Sequence, residues 1–306
     1  MATRMLICLM VSALLNLASP AYHACRAEED EQAKAAAHLK HFLAKVELVA
    51  SGQCDVTLTR KTSPEQAAIT NRFVTAFDHA EGRSLWRGVA NGQFTECAID
   101  GEMVSVWNDR TSVVDQYSLD QARTLERNAL PLDVRYAGLA GVLPVATRRP
   151  FAEYQAKVLA TLKPVSCRVD GDAAICSFSR GDNMRFTWRF ESKLDGMPSE
   201  FSVEFAAAPD KPFQPVVKVN VAWEEHDKAW VPTDWKLADS GGATQYAVEL
   251  RWKSVNAPLP AKTFDYRTFG FHAEGLERGT LVVDNRSKPP TATRHLLPGM
   301  ETLHRD

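Results

Sequence analysis

The sequence predicts an α+β protein made mainly of antiparallel sheet, and three observations predict it. First, Met184, Phe186, Trp188 and Phe190 alternate with Arg185, Thr187, Arg189 and Glu191. The same period of two recurs in Phe201–Phe205, Val217–Trp223 and Tyr246–Trp252. It gives each strand one apolar face and one wet face, the pattern of antiparallel sheet. Second, Ala36, Leu39, Leu43, Val46 and Ala50 fall at helical spacing behind an acidic start, Glu28 to Glu31, which suits the helix dipole. Third, Asn91-Gly92, Asp100-Gly101 and Gly171-Asp172 separate short alternating runs, as hairpin turns do.

Taken in order, the chain opens with Arg4 and the apolar run Leu6–Ala18, followed by Ser19-Pro20-Ala21. That run is the length of a signal-peptide core and too short to span a bilayer, so residues 1–21 read as a leader cleaved after Ala21. No later stretch has the apolar length of a membrane helix. The mature protein is therefore expected to be exported, to the periplasm or beyond the cell. Cys25 follows Tyr22-His23-Ala24 rather than the small or aliphatic residues of a lipidation site.

A helix is expected over 30–50, ended by Gly52, then a strand over Gln53–Arg60. Thr62-Ser63-Pro64-Glu65 suits a short helix start. Arg72–Asp78, Ser84–Val89, Gln93–Ile99 and Met103–Trp107 read as a meander. Ser118 and Gln121 have capping-box spacing ahead of a second helix carrying Leu119, Ala122, Leu125 and Ala129, closed by Pro131. A third helix runs from Pro150 through Phe151, Tyr154, Val158 and Leu162 to Pro164. The Cys167–Cys176 hairpin, the alternating strands and Trp230–Leu237 complete a single domain over 22–286. Residues 287–306, with Pro289-Pro290 and Pro298, read as a tail that is disordered or loosely docked.

An exported chain has access to disulfides. A two-residue turn at Gly171-Asp172 sets Cys167 directly opposite Cys176, in the closely spaced kind of antiparallel pair, so that bridge is expected. Cys54 and Cys97 are the plausible second pair, with free buried cysteines as the alternative.

The composition is 45% hydrophobic and 24% charged with net charge −2, which argues against a nucleic-acid binder. The sheet geometry carries a functional hint. Five strands span roughly 20–25 Å, whereas one helix is about 10 Å across. Either the sheet curls to bury its own aromatic face, or an apolar cavity remains between helices and sheet.

Several segments resemble the outer-membrane lipoprotein-sorting (LolA-like) superfamily in its divergent exported forms. They are Phe77-Asp78 with Arg83-Ser84-Leu85-Trp86, the Asp100–Trp107 strand, Asp133-Val134-Arg135-Tyr136-Ala137-Gly138-Leu139, Trp230-Val231-Pro232-Thr233, Trp252 to Asn256, and Gly279–Asp284. The resemblance covers most of residues 30–286. It implies an unclosed antiparallel β-barrel, a strongly curved sheet with helices on its concave apolar face, and an interior that accepts acyl chains. It brings no catalytic residue. The extra cysteines and the long tail depart from the pattern, and the arginine that gates acyl binding in the lipoprotein carriers has no match.

Candidate chemistry is sparse. His38 and His41, three apart on the first helix, lack an acidic or cysteine ligand at fixed spacing and read as surface histidines, so no metal is expected. Glu224-Glu225-His226-Asp227 reads as a solvated charged turn, with acid/base chemistry as the lesser alternative, and Asp78-His79 reads the same way. Arg180-Gly181-Asp182 fits a hairpin turn better than an adhesion signal. Asn285-Arg286-Ser287 has a glycosylation pattern with meaning only in a eukaryotic host. There is no Gly-x-Ser-x-Gly, His-Glu-x-x-His or phosphate-binding glycine loop, and no cofactor is expected.

The strand aromatics are either plain core or the wall of an acyl-chain pocket. In the pocket reading that wall is Phe186, Trp188, Phe205, Val219, Trp223, Tyr246, Leu250 and Trp252. The sequence thus points to a non-enzymatic carrier of lipid, lipoprotein acyl chain or another apolar ligand. An envelope interaction module with a packed core comes second, and a hydrolase using residues 224–227 third.

Overall fold

A computed structural model describes residues 27–61, 67–90, 93–108, 111–124, 133–136, 159, 161–208, 211–239, 244–269 and 280–295. The leader, Cys25, the Thr62–Glu65 start, the Asn91-Gly92 turn and most of the second and third helices lie outside them. So do the arms of the family resemblance at 137–139.

Helix α1 occupies 27–47. A meander follows: β1 (Ser51–Arg60), β2 (Ile69–Asp78), β3 (Arg83–Ala90), β4 (Gln93–Asp100), β5 (Met103–Asn108) and β6 (Val113–Ser118), then helix α2 (Leu119–Thr124). A second meander comprises β7 (Lys163–Asp170), β8 (Ala173–Ser179), β9 (Met184–Glu191), β10 (Met197–Phe205), β11 (Gln214–His226), β12 (Ala229–Asp239) and β13 (Thr244–Val255). Strands β14 (Thr280–Asp284) and β15 (Thr291–His295) close the described chain. Residues 291–295 of the tail expected to be disordered or loosely docked are therefore a strand, paired with β14 from Thr291–Asp284 to His295–Thr280.

The fifteen strands among the described residues form one sheet, in the order β15-β14-β6-β5-β4-β3-β2-β1-β13-β12-β11-β10-β9-β8-β7. The two meanders join where β1 pairs antiparallel with β13. The β14–β6 pair is parallel. The α+β class and the antiparallel sheet are as expected, but the strongly curved, unclosed barrel is not what forms. The sheet is open and not strongly curled, with β15 and β7 at its two ends.

The physical reason is that other segments cover the apolar surface. In β2, Phe73 and Phe77 join the core cluster under α1, whereas Ala76 joins a second cluster with Leu85, Ala98, Trp107 and Val114. That second cluster is capped by Phe264 and Phe269, from short 3₁₀ turns at Ala261–Phe264 and Tyr266–Thr268. A sheet covered on both sides has no need to fold onto itself.

Helix α1 buries Ala35, Leu39, Phe42 and Val46, one stripe at helical spacing, and Val49 in the link to β1 continues it. Leu39 and Val46 are buried as expected, but the rest of the stripe is shifted: Ala36 and Ala50 face solvent and Leu43 is half-buried. Phe42 sets the shift, with its ring 6.5 Å from Phe190 and 6.3 Å from Trp223. Nor does Gly52 cap the helix. It lies inside β1, where a side chain would meet the Trp252 ring at 2.7 Å. The start of α2 follows the expected box: the Ser118 amide donates to Gln121 Oε1 at 2.9 Å, and the Gln121 amide donates to Ser118 Oγ at 3.2 Å.

Candidate functional site: the aromatic face and the cleft beside helix α1

Strand register lines up one row across seven strands. Cys167 faces Cys176, Cys176 faces Trp188, Trp188 faces Phe201, Phe201 faces Val219, Val219 faces Leu237 and Leu237 faces Tyr246. Cross-strand neighbours share a face, so alternation in each strand adds up to one continuous apolar surface. Trp188 packs edge-on against Phe178 at 5.0 Å and tilted against Phe201 at 5.0 Å, with Phe186 stacked beside both.

Of the eight residues expected to line a pocket, Phe186, Trp188, Val219, Tyr246 and Leu250 are buried in this cluster, and Trp223 and Trp252 are half-buried against it. Phe205, at the end of β10, is 42% exposed and outside the cluster. Trp223 Nε1 donates to the Pro198 carbonyl at 2.7 Å, and Trp252 Nε1 donates to the Pro232 carbonyl at 2.8 Å. The Nε1 atoms of Trp188 and Trp235 are buried with no hydrogen-bond partner among the described residues.

Beside α1 the face opens into a cleft of about 440 Å³, lined by Lys34, Ala37, His38, His41, Phe190, Ser192, Asp195 and Gly196. None of the eight expected residues lines it. His38 stacks on Phe190 with ring centroids 5.3 Å apart and 15° between planes. His41 Nε2 is 2.9 Å from the Asp195 carbonyl, to which it donates, and Lys45 pairs with the Asp195 carboxylate. Burial, then the neighbouring His41, lowers the His38 pKa below the usual histidine value. The sequence signal for this site was present in Phe190, the last aromatic of its alternating run, and in Asp195-Gly196, a turn with both residues at positive φ.

Cys167 and Cys176 form a disulfide, with the short Cα separation of 4.1 Å that marks a closely spaced antiparallel pair. Cys54 and Cys97 are free and buried, so the second expected bridge is not made. They share a register row, Cys54–Thr75–Trp86–Cys97, but β2 and β3 lie between them. At the usual strand spacing that is roughly 14 Å, twice the reach of a disulfide. Burial pushes the Cys97 thiol up to about 12 and raises Cys54 as well, so both stay protonated.

Glu224 and Glu225 are consecutive on β11 and point to opposite faces, which prevents them from converging as an acid/base pair. His226 lies 3.5 Å from Glu224, and Asp227-Lys228 make the two-residue turn to β12, both at positive φ. Asp78 pairs with Arg83 at 3.0 Å, while His79 lies 3.9 Å from Asp133. Arg180-Gly181-Asp182 occupies the exposed turn between β8 and β9. Asn285 Nδ2 donates to Asp115 at 3.2 Å.

No family model and no curated protein matches the chain. Solved structures give low-identity similarity. A LolA superfamily protein from Nitrosomonas europaea is 13% identical, with 74% of this chain and 97% of that chain covered and a TM-score of 0.41. An outer membrane lipoprotein-sorting protein domain from Vibrio parahaemolyticus is 10% identical, with 76% and 97% covered and a TM-score of 0.42. A DUF1329 family protein from Desulfovibrio piger is 12% identical, with 75% and 96% covered and a TM-score of 0.41. Among the described residues no helix is long and apolar enough to cross a membrane.

Proposed function

We propose that the protein is an exported, non-enzymatic binding protein for a lipid, an acyl chain or a similar apolar ligand carrying one polar acceptor. The observation that carries this reading is the pair of unmet indole donors, Trp188 and Trp235, in the middle of an apolar face. Each unmet donor costs about 1–3 kcal/mol, and a ligand carbonyl reaching it would recover that cost. The cleft at Phe190 gives a way in beside α1, which covers the face through one apolar stripe and contacts at exposed Asp195. About ten buried methylenes supply ~8 kcal/mol, enough for micromolar affinity. The leader at 1–21 and the Cys167–Cys176 disulfide both fit an oxidising compartment outside the cytoplasm.

The test is mass spectrometry of organic extracts from protein purified without detergent, together with binding of a fluorescent fatty acid. A stoichiometric lipid and micromolar probe binding are expected. Ala37→Trp, which fills the cleft from an exposed helix position, should weaken probe binding at least about tenfold. A clean extract and a protein that ignores the probe would sink the reading.

A second reading is an envelope interaction module, and one observation favours it. The rings of Phe178, Phe186, Trp188 and Phe201 pack on one another, edge-on, tilted or stacked, and fill the face themselves. The same measurement separates the two, because a packed core binds no probe.

A further inference from the structure

His38 on α1 meets the Cys167–Cys176 pair on β7 and β8, three residues that could not be connected by spacing because about 130 positions separate helix from hairpin. Its ring nitrogen and both sulfurs lie within 4.8 Å of one another. We propose that His38, Cys167 and Cys176 form a redox-gated zinc site, shut while the disulfide stands and opened by its reduction. This inference is independent of the apolar ligand.

Around a tetrahedral zinc ion, with Zn–S near 2.3 Å and Zn–N near 2.0–2.1 Å, ligand atoms sit roughly 3.3–3.8 Å apart. The observed cluster needs side-chain shifts of about an ångström or two to reach that arrangement, the sulfurs moving apart and the histidine moving in. The stack of His38 on Phe190 already fixes the plane of the ring. Two cysteines and one histidine are a zinc set that leaves the fourth position to water or another ligand. His38 and His41 both line the cleft.

The gate is thiol–disulfide exchange with a dithiol reductant. The Sγ–Sγ bond of Cys167–Cys176 takes two electrons and breaks, the two protons come from the reductant's thiols, and the reductant leaves as its own disulfide. Zinc then displaces the two thiol protons into water as two Zn–S bonds form. Reoxidation re-forms the disulfide and releases the ion. Strand β7 is an end strand of the sheet, so the reductant reaches the bridge when a single strand frays.

The experiment uses the full mature protein, oxidised or reduced by a dithiol that is then removed under nitrogen. Zinc is titrated against a chromogenic chelator, and cobalt is added to read thiolate-to-metal absorption. Reduced protein should take one zinc per chain, and oxidised protein should bind at least about 100-fold more weakly. His38→Phe keeps the ring stack on Phe190 but removes the ligand, and should weaken binding by about tenfold or more. The proposal is overturned if the reduced protein binds no zinc, if oxidised and reduced forms bind alike, if His38→Phe binds as the native chain does, or if the cobalt spectrum survives in Cys167→Ala/Cys176→Ala.

Discussion

Arg135 donates from Nη1 to the Val49 carbonyl oxygen at 3.1 Å, tying the middle of the chain to the link between α1 and β1. The same guanidinium forks onto Asp133, with Nη2 to Oδ2 at 2.7 Å and Nε to Oδ1 at 2.9 Å, and lies over the Phe77 ring at 5.6 Å. Both partners are buried. Arg135→Ala leaves the Asp133 carboxylate without this fork and should destabilise the protein by about 3 kcal/mol. Arg135→Lys should recover only part of that, since an ammonium cannot make the fork. Urea denaturation measures both, and a loss under about 1 kcal/mol for Arg135→Ala would show that the pair is incidental.

The same corner makes stability depend on pH. Burial first, and the Arg135 guanidinium second, lower the His79 pKa below the usual histidine value, against the opposing pull of Asp133 and Asp78. His38 is lowered too, by burial and then His41. A lowered folded pKa means the unfolded chain takes up protons that the folded chain refuses. Stability should therefore be flat above the unfolded value of about 6.5 and fall as pH drops below it. Urea midpoints at about pH 7.5 and 5.5 should differ in the native chain and converge in His38→Gln/His79→Gln. An equal drop in both proteins would assign the effect elsewhere.

What was legible in the sequence is what local geometry decides. The capping box of Ser118 and Gln121 and the Cys167–Cys176 hairpin depend on residues within ten positions, and both stand as read. Cys54 and Cys97 misled because each lies on a strand and their rows match, yet the number of strands between them is a property of topology. The barrel misled for the same reason: that Phe264 and Phe269 would cover the back of Ala76 and Leu85 is not written in any periodicity. The α1 stripe holds at Leu39 and Val46 but is one position off at its ends, because Ala36 and Ala50 fit the helical spacing as well as Ala35 and Val49 do. The packing of Phe42 against Phe190 and Trp223 separates the two. The cleft depends on which side of α1 is left open, so His38 and Phe190 could not be joined before the fold was known.

Strand β3 contains a glycine that space alone requires. A side chain at Gly88 would come 2.1 Å from the Arg72 carbonyl oxygen and 2.7 Å from the Phe73 Cα, both backbone atoms of β2. Gly88→Ala must therefore push two paired strands apart, and should cost about 3 kcal/mol. Gly52→Ala meets the Trp252 ring at 2.7 Å, and a ring can tilt where a backbone cannot. Thermal denaturation should rank Gly88→Ala as clearly the worse, and the reverse order would mean that β2 and β3 yield more easily than the core rings.

Four of the five indoles of the C-terminal meander separate into two kinds, Trp223 and Trp252 with a carbonyl acceptor and Trp188 and Trp235 without one among the described residues, and substitution by phenylalanine should tell them apart. Trp223 is half-buried but its Nε1 donates to Pro198, so Trp223→Phe strands a carbonyl and loses contact area together. Trp188 is buried deeper, yet its Nε1 donates to nothing among the described residues. Trp188→Phe therefore removes an unmet donor, a gain of about 1–3 kcal/mol, against a cavity cost of similar size. Trp188→Phe is expected to change stability by less than about 1 kcal/mol, and Trp223→Phe to cost more despite its greater exposure. The ligand reading adds a second expectation. If a ligand acceptor meets the Trp188 donor, Trp188→Phe should weaken fatty-acid probe binding by about tenfold while leaving the fold intact. A Trp188→Phe protein with both unchanged binding and a large stability loss would make that indole an ordinary packed ring.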